Sequence, residues 1–456
     1  MQLVAYGAQD IYLTGNPQIT FFKVVYRRHT NFSMECIEQT ISGSSSVNGS
    51  GTVTISRNGD LVSKVYVTCE DLNDDDDGAT LIDNIELEIG GQRIDKQTSD
   101  WNQIWSELTT PESKAAGFKC MIGACGNSNT NAVGLVQVPL NFWFCRNPGL
   151  ALPLIALQYH EVKLKCVWGA ARGARKVVAD YIYLDTDERR RFAQVSHEYL
   201  IEQIQEQSAD GTGSFKLNFN HPVKELIWTS SASTGYTDAI LKLNGHDRFS
   251  KQQEEYFQLR QPYDYHTSVP GQNVVLTDRP QMLATQRLVC ASDTGDAIAN
   301  ATDAAESKVT ITANLTNSVS VGDILIVGLS SGDVEVADAR TVTVVAVGEE
   351  SADFTVTPRI TALTDDSNNS FSIGIIARAQ DPLSKTGSFT KKINVYSFAL
   401  KPEEHQPSGT CNFSRIDNAQ LNITAVGGMG TSDKIYAVNY NVLRIMSGMG
   451  GLAYSN

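Results

Sequence analysis

"LEIGGQRIDK" occupies residues 87–96, and "LKLNGHDRFSK" occupies residues 241–251. With one extra residue in the second copy, both read as Leu, a charge, an aliphatic residue, a small-residue turn, Arg, an apolar residue, a polar residue and Lys. An aromatic residue follows each copy at the same distance, Trp101 in the first and Tyr256 in the second. Each copy has the pattern of a strand, a tight turn and a returning strand. The repetition predicts two units of similar plan in tandem.

Apolar residues alternate with polar ones along most of the chain. In "GTVTISRNGDLVSKVYVTC" (51–69) Val53 and Ile55 share one face, and in "IELEIGG" (85–91) Ile85, Leu87 and Ile89 point inward. The stretches 159–168 and 434–446 alternate similarly. Short alternating strands separated by Gly, Asn and Asp predict an all-β sandwich or barrel. Helical periodicity is scarce, and the best helical candidates are 99–108 and 187–207, the second with a partly extended alternative.

The chain has 456 residues, which is too long for one ordinary core. A Gly-, Ser- and Asp-rich link at 206–214 is the natural join between two sandwiches. Residues 291–380 differ from the rest, because they carry 13 acidic and 4 basic residues and five strand-like stretches. We therefore expect a small acidic β-barrel, at about 276–390, inserted into a loop of the second sandwich.

Composition and targeting signals narrow the function classes. The net charge is −14, from 37 basic and 51 acidic residues, and a coat for nucleic acid needs the opposite balance. The start "MQLVAYGAQD" has no signal-peptide pattern, and no apolar run approaches the roughly 18 residues of a membrane span. Eight cysteines are scattered without CxxC spacing, which favours free thiols in a reducing compartment. We expect a soluble, cytosol-made protein with no direct nucleic-acid binding and no membrane insertion.

Two glutamates could carry chemistry. Glu86 and Glu88 share one face of a predicted strand, and paired strand carboxylates occur in jelly-roll glycosidases. The alternative is the solvated outer face of an antiparallel strand. The second copy has Lys242 in place of Glu88, so the repeat does not preserve a carboxylate there. This weakens the enzyme hypothesis.

Two dipeptides begin like the HExxH motif of zinc proteases, which needs a second histidine four residues after the first. His160-Glu161 is followed by Leu164 at that position, and His197-Glu198 is followed by Ile201. Neither pair completes a metal site. We expect no metal, no cofactor and no enzymatic activity.

Two further features have open interpretations. "YRRHT" (26–30) is a basic cluster that suits either a phosphate or, preferably, the carboxylates of a neighbouring domain or subunit. Asn300, Asn314 and Asn368 are Asn-x-Ser/Thr sites in the acidic insertion and are candidate carriers of sugar.

Long stretches of the chain resemble the major capsid proteins of nucleocytoplasmic large DNA viruses, and the algal-virus, chlorovirus type above all. The resemblance covers about two thirds of the chain, but residues 107–135 match poorly and 271–391 look like an addition to the family plan. The matching stretches include "QLVAYGAQDIYLTGNPQITFFKVVYRRHTNF" (2–32), "ELEIGGQRIDK" (86–96), "PGLALPLIALQYHEVKL" (148–164), "YIYLDTDERRRFAQVSHEYLIEQ" (181–203), "YSFALKPEEHQPSGTCNFSRIDNA" (396–419) and "NYNVLRIMSGMGGLAYSN" (439–456).

The resemblance implies a double jelly roll, that is, two tandem eight-stranded sandwiches. It places an N-terminal arm at 1–23, jelly roll 1 at 24–208 and jelly roll 2 at 209–456, with the β-barrel-like insertion at about 276–390. A homotrimer then has six similar lobes and forms a pseudo-hexagonal capsomer of an icosahedral shell.

The same resemblance implies the partners and the location. The partners are neighbouring capsomers and minor capsid proteins beneath the shell, with the insertion on the outer surface and available for host contact. The location is the outer shell of the virion, assembled in the host cytoplasm. The alternative from another class is a secreted jelly-roll carbohydrate-binding protein or glycosidase, which a signal peptide and a Trp-rich cleft would favour. The sequence provides evidence for neither.

Overall fold

A computed structural model of the chain gives the architecture. Strands and the loops that join them make up most of it. The described residues are 30–70, 78–123, 135–169, 173–209, 213–230, 235–274, 281–291, 297–300, 306–310, 323–329, 340–347, 353–359, 371–378, 384–386, 389, 391–424, 429–430 and 432–454.

The first half of the chain forms a sandwich of two antiparallel sheets, because its alternating residues give each strand one apolar face. The strands are β1 (Phe32–Gln39), β2 (Ile41–Gly43), β3 (Ser50–Thr54), β4 (Leu61–Glu70), β5 (Ile82–Ile89), β6 (Gln92–Thr98), β7 (Leu135–Pro139), β8 (Leu152–Pro153), β9 (Val162–Trp168) and β10 (Arg175–Leu184).

These strands pair as a jelly roll. One sheet has the order β1-β10-β4-β7, with β8 beside β4, and the other has the order β2-β3-β9-β5-β6. The two inner faces meet in one apolar core. The predicted inward residues are buried in it: Val53, Ile55, Ile85, Leu87 and Ile89. The alternation therefore predicted the core face of these strands correctly.

The second half contains a second sandwich and an insertion. Its strands are β11 (His197–Ser208), β12 (Ser214–Lys216), β13 (Pro222–Ser230), β14 (Asp238–Leu243), β15 (His246–Asp247), β16 (Gln252–Gln253), β17 (Gln281–Ala291), β18 (Ala297–Asn300), β19 (Ser307–Thr310), β20 (Ile324–Leu329), β21 (Arg340–Val347), β22 (Asp353–Thr357), β23 (Phe371–Arg378), β24 (Lys392–Ser397), β25 (Cys411–Asn412), β26 (Ala419–Thr424), β27 (Lys434–Met446) and β28 (Met449–Leu452).

The second sandwich repeats the plan of the first. β11 is its first strand, so the first jelly roll ends before His197 and not at residue 208, and the join does not lie at 206–214. One sheet has the order β11-β27-β13-β24, with β25 beside β13 and β28 beside β27. The other has the order β12-β26-β14-β15, with β16 beside β14. In both sandwiches the first strand pairs with the last long strand, as β1 does with β10 and β11 with β27. The chain is a tandem pair of jelly rolls, as the repeat predicted.

The insertion lies between β16 and β24 in the chain and is itself a β-structure. Seven strands form one antiparallel sheet in the order β17-β23-β20-β21-β22-β19-β18. Each of the five stretches predicted as strands contains one, and β17 and β18 add two more.

The two sequence copies occupy the same place in the two jelly rolls. The first is the β5–β6 hairpin, with Gly90 and Gly91 at φ values of +60° and +84° in its turn. The second is the β14–β15 hairpin, with Asn244 and Gly245 at φ values of +51° and +80°. Successive positive φ angles are typical of the tight turns that match strand twist. The repeated sequence therefore encodes a repeated hairpin.

The helices connect strands. Helix α1 (Ser99–Thr109) was predicted at 99–108, and the Thr98 hydroxyl caps it by accepting a hydrogen bond from the Trp101 N–H. At 187–207 the partly extended alternative is correct, because helix α4 (Thr186–Gln194) is followed by β11, which begins at His197. All twelve residues of β11 pair with β27, and that pairing outweighs helical propensity. The helices are α1 (Ser99–Thr109), α2 (Glu112–Met121), α3 (Trp143–Arg146), α4 (Thr186–Gln194) and α5 (Gln261–Tyr265).

The molecule has two distinct ends. At one end of β27, Lys434 pairs with Ser208, and the insertion joins the sandwich there because Lys392 of β24 pairs with Ser230. We call this the insertion end. The other end of β27 turns at 447–448, where the Gly448 carbonyl accepts a hydrogen bond from the Tyr159 N–H. We call this the basal end.

Candidate functional site: the junction between the two jelly rolls

Helix α1 follows β6 of the first jelly roll and packs on the second. Its apolar residues recur at positions i, i+3, i+4 and i+7, so they form one face. This face covers the outer side of the β11-β27-β13-β24 sheet, whose inner side already packs on the other sheet of its own sandwich. A sheet buried on both sides accounts for the almost continuous burial of β13. The contacting residues are Trp101, Ile104, Trp105 and Leu108 with Ile227, Ile393, Val395, Tyr436 and Val438.

Glu107 of α1 fastens the chain that returns from the insertion. Its side chain is fully buried. Oε1 accepts hydrogen bonds from the Ser384 hydroxyl at 2.9 Å and from the Lys385 N–H at 2.7 Å. It also accepts them from the Thr386 N–H at 2.9 Å and the Thr386 hydroxyl at 2.8 Å. These four donors compensate Oε1 for the loss of water, whereas Oε2 is buried without a hydrogen-bond partner among the described residues. The first jelly roll thus holds the root of the insertion.

A row of buried charges crosses the junction. Arg146 Nη1 of α3 lies 2.6 Å from Glu202 Oε2 of β11, and Lys224 Nζ of β13 lies 2.7 Å from Glu202 Oε1. The Arg146 guanidinium stacks 3.8 Å from the ring centroid of Trp105 on α1. Burial lowers the pKa of Lys224, and the carboxylates of Glu202 and Glu225 oppose that shift. One carboxylate therefore serves a cation from each jelly roll.

His266 sits between two carboxylates of the second jelly roll. Its Nε2 lies 3.0 Å from Glu225 Oε2 and its Nδ1 lies 2.9 Å from Glu403 Oε1. Burial opposes the protonated form of His266, but the two carboxylates outweigh it and raise the pKa to about 9. Glu403 Oε1 also accepts a hydrogen bond from the Thr267 N–H at 2.8 Å. The imidazolium clamps the loop that carries Glu403 against the segment after α5.

Asp95 of β6 makes a second polar link between the jelly rolls. Its Oδ1 accepts a hydrogen bond from the Ile204 N–H of β11 at 3.1 Å, and Oδ2 accepts one from Gln97 Nε2 at 3.1 Å. Burial raises the pKa of Asp95 to about 7, although these hydrogen bonds and Arg146 favour the ionised form. The protonation state of Asp95, and with it this hydrogen-bonded link, therefore changes near neutral pH.

Two clefts open beside this junction, with volumes of about 330 Å³ and 460 Å³. Both are walled by Arg146 and Glu403. Lys64, Asn141, Glu404 and His405 add further polar groups of both signs. Ligand pockets are usually apolar with a few converging polar groups, so these mixed clefts do not resemble a catalytic pocket.

Glu86 and Glu88 are held by surface ion pairs, as expected for a solvated strand face. Glu86 Oε1 lies 3.6 Å from Arg93 Nη1 and 4.0 Å from Lys96 Nζ. Glu88 Oε1 lies 2.5 Å from Lys165 Nζ. Glu86 lies near two cations and Glu88 pairs with a third, so the structure favours the outer-face interpretation over a glycosidase pair.

The two His-Glu dipeptides do not form metal sites either. His160 Nδ1 contacts the backbone of Gly450, and His197 Nε2 contacts the Phe192 carbonyl. The positions where a zinc protease needs its second histidine hold Leu164 and Ile201, which are both buried in the core. Among the residues that the structure describes, no three His, Cys, Asp or Glu side chains are grouped to hold a metal.

Several predicted sites fall outside the described residues. These are residues 26–29 of the basic cluster, together with Asn314 and Asn368. Asn300 lies at the end of β18, and only its backbone is described. Six cysteines are described, and none of them forms a disulfide. In the described part of the chain, no helix has the length and hydropathy of a transmembrane segment.

Sequence reasoning missed the residues that build the junction. The apolar spacing of α1 was visible in "SDWNQIWSEL" and indicated that this helix packs on a partner. Lys224 and Glu225 stand inside "PVKELIWTS", and two charges in an otherwise apolar strand indicate a buried ion pair. Nothing local to Glu107 indicates its role, since its donors lie 277–279 residues away.

Comparisons with known proteins decide the family. A profile described as "Major capsid protein N-terminus" matches residues 20–186, and one described as "Large eukaryotic DNA virus major capsid protein" matches residues 188–238 and 379–451. The major capsid protein of Pyramimonas orientalis virus is 45% identical over 488 aligned positions, which cover 100% of this chain and 99% of the relative. The chain belongs to the major capsid protein family of large eukaryotic DNA viruses.

Other members agree with this assignment. The major capsid protein of Paramecium bursaria Chlorella virus 1 is 37% identical and covers 100% of this chain and 99% of its own length. In structure, the chain matches the PBCV-1 virus capsid, quasi-atomic model, with a TM-score of 0.60 and 30% identity over 96% of this chain and 100% of that one. The protein is a structural capsid protein with the double jelly-roll fold. The carbohydrate-binding and glycosidase alternative is not favoured.

The insertion of this capsid protein accounts for the gap between the two stretches that match the second profile. The second profile stops at residue 238 and resumes at 379, and the seven-stranded insertion, from β17 to β23, falls inside that interval. The relatives are virion capsid proteins, which supports a location in the virion shell.

Proposed function

We propose that three copies of this chain form a pseudo-hexagonal capsomer of an icosahedral shell and that the chain performs no catalysis. The observation that carries the proposal is the repetition of one strand order in two sandwiches of a single chain. Two similar lobes per chain give a trimer six similar lobes, so a threefold assembly fills a sixfold position. A single jelly roll would need six separate chains for the same outline.

The junction supplies the stiffness that this role needs. If the two jelly rolls moved independently, the outline of the capsomer would not be fixed. Helix α1, Glu107 and the Arg146–Glu202–Lys224 row instead join the two sandwiches through buried apolar and ionic contacts. Desolvation offsets much of the attraction in buried ion pairs, so we infer that this row mainly fixes the arrangement of the two sandwiches.

The direction of the subunit in the shell follows from its two ends. The insertion is acidic and joins the end of β27 at Lys434, about 40 Å along this 13-residue strand from the basal end. We infer that the insertion end faces outward, where negative charge limits adhesion between particles and leaves the insertion free for host contact. The basal end then faces the minor capsid proteins beneath the shell.

The mass of the purified protein tests the trimer. Light scattering coupled to size-exclusion chromatography should give a mass near three times the 49.7 kDa of the chain. Denaturing electrophoresis of the same peak should give a single chain. A stable monomer would contradict the proposal.

The orientation is tested by labelling lysines on intact particles with a membrane-impermeant acylating reagent. Lys308 lies exposed on the insertion, and Lys401 is 66% exposed at the basal side of the second jelly roll. Lys308 should react in intact particles, and Lys401 should react only after disassembly. Protection of Lys308 in intact particles, or full reaction of Lys401 in intact particles, would contradict an outward-facing insertion end.

A further inference from the structure

Strand β1 has one free edge in the described chain. It is the terminal strand of its sheet, and among the described residues it pairs with β10 alone. Phe32 is 62% exposed and Met34 is 53% exposed. A row of unpaired backbone N–H and C=O groups beside exposed apolar side chains is a template for another strand.

This edge carries two glutamates but lacks the other devices that normally protect an edge strand. Such edges usually carry lysine or proline, or are interrupted by a bulge. The sequence of β1, "FSMECIEQ", contains neither residue. Its eight pairs with β10 run without a register shift, from Phe32 with Leu184 to Gln39 with Val177. An edge of this length, protected only by two negative charges, is open to pairing with a strand of opposite charge.

The exposed residues extend an existing apolar cluster. Met34 lies opposite Ile182, and Phe32 lies opposite Leu184. Ile182 is buried with Leu61 and Ala151, and Leu184 packs against this group. A strand laid along β1 would continue the cluster outward and remove Phe32 and Met34 from water.

The negative charge of β1 indicates which kind of segment binds its free edge. β1 carries Glu35 and Glu38 and no basic residue, so a basic strand fits it. The chain's own sequence at 18–28, "QITFFKVVYRR", places Phe22, Val24 and Tyr26 at alternate positions and adds three basic residues. Its apolar positions suit the face of β1 that carries Phe32 and Met34.

We propose that the free edge of β1 binds residues 18–28 of a second copy of this chain by strand addition. A shell presents many copies at high local concentration, so an arm of each copy can meet the edge of its neighbour. The contact ties adjacent copies together and covers an edge that would otherwise promote aggregation. The inference rests on the proposed self-assembly and adds a defined contact to it.

Disulfide trapping with the native Cys36 of β1 tests the contact. Full-length variants Phe22→Cys, Val24→Cys and Tyr26→Cys are each prepared in unlabelled and ¹⁵N-labelled form, mixed before association and oxidised. A copper catalyst is needed, because burial and the nearby Asp180 raise the pKa of Cys36 to about 11 and leave little thiolate. Adjacent strands place their Cα atoms within reach of a disulfide.

The expected product is a disulfide between residue 36 and the introduced cysteine that joins one labelled and one unlabelled peptide. It should disappear in a Cys36→Ser background, and Val47→Cys, an exposed position on another loop, should not form it. Met34→Lys should lower the yield by about fivefold or more, since it places a charge on the edge.

Two outcomes would overturn the inference. Disulfides joining only peptides of the same isotope would place the arm on its own chain, and no disulfide at any of the three positions would remove the contact. Light scattering on the same samples separates this failure from that of the proposed function. Trimers without the mixed disulfide contradict the strand addition alone, whereas monomers contradict the capsomer.

Discussion

Oε1 of Glu107 lies 2.7 Å from the backbone nitrogen of Lys385, and these residues belong to different jelly rolls. Glu107 lies in the last turn of the helix that the first sandwich places across the second, and Lys385 precedes β24 on the return from the insertion. The Lys385 ammonium reaches back to the Glu107 carbonyl at 3.1 Å. One contact therefore sets both the position of the two sandwiches and the root of the insertion.

Replacement of Glu107 by Ala should destabilise the protein by about 3–5 kcal/mol. The change leaves the N–H groups of Lys385 and Thr386 buried without their acceptor and creates a cavity at the junction. Denaturant titration followed by tryptophan fluorescence measures the loss, because Trp101 and Trp105 lie in the same helix.

Glu86→Ala is the matched control for this change. Glu86 is partly exposed and has only surface partners, so its loss should cost no more than about 1 kcal/mol. Equal effects of the two substitutions would contradict a special role for Glu107.

Deprotonation of His266 should lower the stability of the protein in alkaline solution. Its folded-state pKa is about 9 and its ordinary value is 6.5. The stabilisation is therefore fully present below pH 6.5 and is lost as the pH rises through 9. The difference in unfolding free energy between the parent and His266→Gln should be a few kcal/mol at pH 6 and should shrink by pH 10. A difference that stays constant over this range would contradict a protonated His266.

Asp95 should change the stability of the protein over a lower pH range than His266 does. Its folded-state pKa of about 7 exceeds the ordinary 3.8, so the folded protein binds this proton more tightly than the unfolded chain does. The contribution is fully present below pH 3.8 and is lost as the pH rises through 7. Asp95→Asn should therefore be more stable than the parent at pH 8, and its advantage should decrease toward pH 5. Lower stability of the variant at pH 8 would contradict this account.

The repeated hairpins should tolerate reciprocal substitutions unequally. Asn244→Gly puts glycine at a φ of +51° and removes the Oδ1 that accepts hydrogen bonds from the Asp417 and Asn418 N–H groups. Because these donors are exposed and can bond to water, the loss should be only about 1 kcal/mol. Gly90→Asn keeps a residue that accepts positive φ, but its Cβ would lie 2.2 Å from His160 Nδ1. That variant should lose about 2 kcal/mol or more. Thermal unfolding of both variants measures the difference, and equal tolerance would show that the His160 contact relaxes freely.

The sequence predicted the fold wherever one residue pattern corresponds to one environment. β5 alternates because one face meets the core and the other meets water, and its hairpin recurs because the turn needs residues that accept positive φ. The structure of the segment 187–207 was harder to predict, because only two residues separate α4 from β11. Its strand half was decided by pairing with β27, which is more than 200 residues away.

The junction could be predicted only in part for the same reason. The Trp101–Leu108 stripe showed that α1 packs on a partner but did not identify the partner. Lys224 and Glu225 signalled buried charge, yet their partners Glu202 and His266 come from other parts of the chain. Long-range electrostatic partners become visible only when the fold brings them together.

Electron cryo-microscopy of the native particle tests the central claim most directly. The account predicts threefold capsomers with six similar pillars, two from each chain, and the acidic insertion on the outer end of alternate pillars. The two pillars of one chain should be joined by density for α1. Capsomers built from six chains, or an insertion that faces the particle interior, would contradict it.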